Sequence, residues 1–200
     1  MFAHKYTLPV RMLVLAAAAL LQGCVALVAG GVLVGADAVH DRRPAGVVAR
    51  DRNIQLTAFD AINRHKELVR EDNNVKVVVY NSVMLLAGQV RSASLRDLAQ
   101  HSVADIEGVD RLVNEIEVTA EPEGFWRRRQ DNTITARVKA GLLNITSMPG
   151  FDPTRVNVTT SHHVVYLMGL VSHEEAEASA DIARDTSDVV KVVKVFEYTD

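Results

Sequence analysis

The sequence predicts an α+β protein built as two tandem α-β-β-α-β domains behind an N-terminal signal and a short tether. Three observations predict this. An apolar stretch ending near a lone cysteine opens the chain, and two segments 81 residues apart repeat one another. Within each repeat, apolar residues pass from helical spacing to extended runs and back.

The N-terminal segment comes first. Residues 1–11 carry His4, Lys5 and Arg11 and no acid, and MLVLAAAALL (12–21) is uninterrupted apolar sequence. That length suits a secretory h-region and is too short to span a bilayer. Leu21-Gln22-Gly23-Cys24 resembles a bacterial lipoprotein signal. The resemblance implies removal of residues 1–23, with a diacylglycerol and an acyl chain such as palmitate on Cys24, and no other cofactor. Val25 stands where an inner-membrane retention signal places Asp, which by the same resemblance implies the outer membrane, with the domains facing the periplasm. Two alternatives remain at this point, a plain secretory signal and an uncleaved span. Arg11 and Asp37 bracket an uncharged stretch long enough to cross, but Gly23, Gly30, Gly31 and Gly35 make its second half a poor helix.

Composition narrows the function classes. With 48% hydrophobic and 24% charged residues the chain fits a folded class. A single cysteine forms no intrachain disulfide. A formal charge of −3 gives no support for generic nucleic-acid binding. Removing residues 1–23 takes away Lys5 and Arg11 and leaves 20 basic against 25 acidic residues, a charge of −5. Attraction to an anionic surface must then come from a local patch.

Residues 24–48, rich in Gly and Ala, read as the lipidated N-terminus and tether. Beyond them VKVVVYNSVMLLAGQV (75–90) aligns without a gap with VNVTTSHHVVYLMGLV (156–171), with six identities in sixteen positions. About one is expected by chance. A helix precedes each segment, over 51–66 with Ile54, Ala58 and Ile62 on one face, and over 131–145 with Ile134, Val138 and Leu142. Each segment is itself a hairpin, turning at Asn81-Ser82 and at Ser161-His162-His163. A second helix follows. Leu95, Leu98, Ala99, Ser102, Val103 and Ile106 mark its face in the first copy; Ala176, Ser179, Ala180 and Ala183 do so in the second. Ser172 and Glu175 have the spacing of a capping box. Strands at 110–118 and 190–198 close the copies. The domains are therefore 49–118 and 131–199, joined by a linker at 119–130 that holds Pro122, Gly124 and a charge run. Both alternating faces of VMLLAGQV and VVYLMGLV are apolar, so helices are expected on one face and the tether or the sister domain on the other.

VMLLAGQV (83–90), DNTITARVKAGLL (131–143) and VVYLMGLVSHEEAEASADIA (164–183) resemble the BON domain. With LLQGCVA (20–26) and DRRPAG (41–46), nearly the whole chain resembles the dual-BON outer-membrane lipoproteins of the DolP type. The resemblance implies that each domain is a small mixed three-stranded sheet packed with two helices. It also implies an envelope-integrity protein without a known reaction, concentrated at cell-division sites. Such proteins bind anionic phospholipid through the first helix of the second domain. Its protein partners would belong to outer-membrane protein assembly or peptidoglycan remodelling.

Helical periodicity supports part of this independently. With Ile134, Val138, Leu142 and Ile145 turned inward, Leu143 falls about 180° from Ile134, beside Ala136 and Lys139. An apolar group next to a cation suits an interfacial helix, although a single surface leucine is also ordinary. The resemblance adds Thr133, aligned with the family's inserted tryptophan, and Asn144. Trp126, the only tryptophan, precedes Arg127, Arg128 and Arg129, and two readings stand. It dips into headgroups beside three cations, or it packs between the domains while the arginines are solvated. Gly88 and Gly169, inside apolar strands, are expected to be structural.

Catalysis is not expected. His162-His163 and His173-Glu174-Glu175 form neither an HExxH motif nor a cysteine–histidine cluster, so no metal site is expected. No serine–histidine neighbour has the acid and oxyanion loop of a hydrolase. The different-class alternative is an adaptor that binds an envelope protein and has no lipid specificity of its own. A third is a periplasmic stress protein without a specific ligand.

Overall fold

A computed structural model describes residues 41–69, 73–122, 125–145 and 148–200, and leaves aside the side chains of residues 125–128. Cys24 lies outside the described residues. The elements run α1 (Ala45–Asn63), β1 (Asn74–Tyr80), β2 (Val83–Val90), α2 (Ala93–Val103), β3 (Arg111–Val118), α3 (Phe125–Leu142), β4 (Val156–Ser161), β5 (Val164–Val171), α4 (His173–Asp185) and β6 (Lys191–Tyr198). A 3₁₀ turn at Pro153–Arg155 leads into β4. This is α-β-β-α-β twice.

Both first helices start earlier than their buried periodicity suggests. Pro44 lacks an N–H and so loses nothing at a helix start. Its carbonyl accepts from the amides of Val47 and Val48 at 2.8 and 3.2 Å. The last residues assigned to the tether are therefore helical. Likewise α3 begins at Phe125, so the last residues of the linker, 125–130, are already helical. At the other end α3 stops at Leu142, and Leu143-Asn144 form a turn.

In each copy the hairpin strands pair antiparallel, while the return through a helix makes the third strand parallel to the second. Two mixed three-stranded sheets result, ordered β1-β2-β3 and β4-β5-β6. Their registers superpose: Val77 pairs with Leu86 as Val158 pairs with Leu167.

Alternation along the central strands decides the layers. Met84, Leu86 and Val90 join Ile54, Ala58, Ile62, Ala99 and Val103 beneath the first pair of helices. Val165, Leu167 and Val171 join Ile134, Val138, Leu142, Ala176 and Ala180 beneath the second. The alternate residues Val83, Leu85 and Ala87 meet Tyr166, Met168 and Val195 in a third cluster. The sister domain therefore covers the second apolar face of each central strand. The layers run helices, sheet, sheet, helices, with two sheets packed face to face.

Polar bonds edge this contact. Lys76 Nζ donates to the Thr160 carbonyl at 2.5 Å and Asn81 Nδ2 to Glu197 at 3.0 Å. Residues 41–43 strap the domains together. Arg43 binds Asp41 and, at 2.8 Å, Asp51 of α1, with its guanidinium 3.6 Å from the centre of the Tyr80 ring. Arg42 holds both carboxylate oxygens of Glu175 in α4 at 2.5 and 2.9 Å and donates to the Leu170 carbonyl at 3.0 Å. Glu175 also completes the capping box with Ser172 and meets Arg155 at 3.2 Å. Burial alone would raise the Glu175 pKa, but Arg42, the Ser172 amide and Arg155 outweigh it and hold the group below its usual 4.5.

The sign of the pH dependence follows. A folded-state pKa below the unfolded one stabilises the protein above the ordinary glutamate range. That stabilisation is lost as pH falls through the depressed value. Arg42→Ala is expected to cost about 1–2 kcal/mol at pH 7, with the gap to the parent closing as the pH falls below 4. Thermal melts at pH 7 and pH 3 measure this. A gap of equal size at both pH values would show that Arg42 stabilises by packing alone.

Candidate functional site

The site suggested by the sequence lies on α3. A stripe of Asp131, Ile134, Val138 and Leu142 turns inward, each nearly inaccessible. Gly141 lets the helix approach α4: a Cβ there would stand 2.6 Å from Ile182 Cγ2. With one side held so closely, the 3.6-residue period points the other outward. Thr133, Ala136, Lys139 and Ala140 are all exposed there, with Leu143 and Asn144 just beyond the last turn.

Leu143 is 70% exposed, far more than the core residues beside it. Backbone and side-chain hydrogen bonds hold it at the helix end. The Leu143 amide donates to the Lys139 carbonyl at 3.3 Å, and Asn144 Nδ2 donates to the Ala140 carbonyl at 3.1 Å. The amide side chain thus satisfies a carbonyl left open at the helix end. Thr133 Oγ1 donates back to the Arg129 carbonyl at 3.4 Å.

The charge on this face has one sign. Asp131 is the only acid between Phe125 and Asn144, and it is 1% exposed. Arg137 pairs with Asp188 at 2.8 Å. Among the described residues Lys139 forms no ion pair. Arg129 is exposed and lies within α3. Trp126, Arg127 and Arg128 belong to the first turn of α3, and their side chains lie outside the described residues. The structure thus brings Thr133, Ala136, Lys139, Leu143 and Asn144 onto one outward surface.

Buried Asp131 does something the sequence reading missed. Its carboxylate accepts from the amides of His162 and His163, both at 3.1 Å. Those residues have φ of 53° and 59°, the left-handed pair of a type I′ hairpin turn without glycine. Lys76 of the first domain approaches the same carboxylate at 3.5 Å. The first domain repeats the device. Asp51 accepts from Asn81 and Ser82 at 2.6 and 3.0 Å, with φ of 49° and 63° in the turn. One available signal was an aspartate three residues before the first isoleucine of each apolar stripe, in both copies.

The two shared glycines sit at close backbone approaches of unequal severity. A Cβ on Gly88, at φ +133°, would lie 1.7 Å from the Asn74 carbonyl oxygen; on Gly169 it would lie 2.5 Å from that of Arg155. His173 stacks on Tyr198 at 3.8 Å and its Nδ1 lies 2.8 Å from Asp200, at the surface. Among the described residues no group of three or more His, Cys, Asp or Glu is placed to hold a metal ion. Nor, among them, is any helix long and apolar enough to cross a membrane.

Comparison with known proteins places this geometry among relatives. The chain matches the BON domain family twice, over residues 50–120 and 130–200. It is 33% identical over 188 residues to the outer membrane lipoprotein DolP of Haemophilus influenzae, which covers 94% of this chain and 95% of that one. It is also 33% identical over 158 residues to the 21 kDa hemolysin of Actinobacillus pleuropneumoniae, covering 79% of each. A solved structure of CdsD, a structural protein of the type III secretion system of Chlamydia trachomatis, aligns at 10% identity. It covers 72% of this chain and 91% of that one, with a TM-score of 0.28.

Proposed function

We propose, for a chain that belongs to the BON-domain family and carries two copies of that domain, an envelope role as an outer-membrane lipoprotein that holds anionic phospholipid through α3. The coarser half rests on 33% identity across 94% of the chain to a relative named as an outer-membrane lipoprotein. Acylation of Cys24 supplies the anchor in this reading. The family resemblance extends it to concentration at the division site and to partners in envelope assembly or peptidoglycan remodelling. The role is non-enzymatic.

The observation that carries the finer half is the outward face of α3: an exposed leucine, a cation outside any described ion pair, and no exposed carboxylate on the helix. A leucine buried from water contributes about 1.5–3 kcal/mol. Each basic residue near an anionic surface adds about 1 kcal/mol. Arg127, Arg128 and Arg129 also stand in the first turns of α3, where the helix macrodipole opposes cations. A local arrangement that conflicts with helix stability yet gathers positive charge is of the kind expected where a surface is kept for a ligand.

Vesicle sedimentation tests the reading. Residues 25–200 are expected to pellet with phosphatidylglycerol vesicles and to remain in solution with phosphatidylcholine. Leu143→Glu should lower the partition coefficient about tenfold or more, with circular dichroism unchanged because the residue is exposed. If the folded parent ignores both vesicle types, the lipid reading is wrong for this chain and the adaptor reading takes its place.

A further inference from the structure

The first domain presents an outward helix face that lipid binding by α3 leaves unused. On α1, Leu56 and Phe59 are 48% and 59% exposed. Ala49, Arg52, Asn53, Asp60 and Asn63 are exposed around them. Since α1 and α3 lie in outer layers on opposite sides of the paired sheets, a surface held by α3 leaves α1 facing away from it.

The two faces also differ in charge. The α3 face shows no exposed carboxylate, whereas Asp60 stands next to Phe59 on α1 and would oppose an anionic bilayer. Arg52 and Asp60 flank Leu56 at four residues on either side, so they are about 12 Å apart along the helix. That exceeds the reach of pairs three or four residues apart. Among the described residues neither forms an ion pair. A face with opposite charges equally spaced about an apolar centre becomes its own complement after a two-fold rotation.

We infer that α1 docks against α1 of a second copy of this chain, antiparallel and two-fold symmetric about Leu56. Arg52 then faces Asp60 of the second copy, twice. Phe59 enters the space between Ala49, Arg52, Asn53 and Leu56 of the other helix, whose spacing is that of a four-residue hole for an inserted side chain. Ala49 leaves the ring its room. One helix face per copy is a small contact, so the dimer is weak in dilute solution and is populated where copies are concentrated on a shared surface.

Cysteine crosslinking in the full-length, membrane-bound chain tests this. Leu56→Cys places one thiol at the two-fold axis of two packed helices. Copper–phenanthroline oxidation should then yield a species of twice the monomer mass. Its yield should exceed at least fivefold that of Val190→Cys, a position 76% exposed away from α1. It should exceed by as much that of the unaltered chain, whose only cysteine is Cys24, acylated in the proposed function. Adding Arg52→Asp or Asp60→Arg alone should lower the yield at least fivefold, and adding both should restore it. A yield no higher than that of Val190→Cys overturns the inference, as does indifference to the charge reversals. So would a crosslink to a different protein, or a Leu56→Cys thiol that stays monomeric and is shielded from a water-soluble maleimide only in intact membranes.

Discussion

Gly88→Val is expected to abolish the native first domain. The backbone at Gly88 has φ +133°, which L side chains rarely adopt, and any Cβ would fall 1.7 Å from the oxygen and 2.8 Å from the carbon of the Asn74 carbonyl. Neither obstacle is a flexible side chain. Relief requires β1 to move away from β2, which breaks the pairing of Val75 with Gly88 and exposes the most buried strand of the domain. Backbone strain combined with overpacking belongs to the short class of changes that cost about 4 kcal/mol or more, against a total stability of about 5–15 kcal/mol. The paired sheets carry the damage further, because Leu85 and Ala87 are also part of the contact with the second domain. Gly169→Ala offers a graded comparison. Its neighbour is the Arg155 carbonyl at 2.5 Å and its φ is not left-handed, so a loss of about 1–3 kcal/mol is expected. Thermal and urea unfolding of both variants checks the pair. A cooperative melt of Gly88→Val within a few degrees of the parent would disprove the close approach.

Asp51→Ala is expected to cost about 3 kcal/mol or more. Asp51 is 2% exposed and performs three tasks. It accepts from two turn amides and neutralises Arg43, itself mostly buried. Removing the carboxylate leaves two donors without their acceptor and deprives Arg43 of one of its two acids. It also frees a turn whose two residues occupy left-handed backbone at about 1 kcal/mol or more each, less for asparagine. That last component can be probed. Ser82→Gly makes the turn Asn-Gly, the pairing most at ease in a type I′ turn, and relieves about 1 kcal/mol of backbone cost. It also removes the hydroxyl that accepts from Arg50 at 3.1 Å, so its gain in the Asp51→Ala background is read against Ser82→Gly alone. Urea midpoints of the single and double variants measure both quantities. A loss below 1 kcal/mol for Asp51→Ala would show that the turn holds its shape without the clamp.

These two residues mark different degrees of legibility. Gly88 and Gly169 announce themselves because the same residue interrupts the same apolar run at a fixed offset. The stripes of Ile54, Ala58, Ile62 and of Ile134, Val138, Leu142 were readable for a similar reason: a helix has one period, and a buried stripe determines which side faces out. The exposed position of Leu143 follows from that period alone. The Ser172–Glu175 capping box is equally local, spanning three residues. Asp51 and Asp131, by contrast, sit on the inward stripe where a charge looks out of place. Their partners lie about thirty residues away, so no local pattern shows that they are satisfied.

The chain by itself determined the repeat, the order of elements in each copy, the turn positions and the apolar character of both faces of β2 and β5. All of these depend on residue type and spacing within one segment, which short-range sterics and solvation decide. Tertiary structure alone decided that the second faces of β2 and β5 meet each other and that Arg42 and Arg43 strap the two domains through Glu175 and Asp51. Such features require two distant segments to be brought within a few ångströms, and apolar strands carry no label for the surface that will cover them. Burial of a hydrophobic face is non-directional; the choice of partner comes from hydrogen-bonded charges at the rim, whose geometry exists only after the chain has folded.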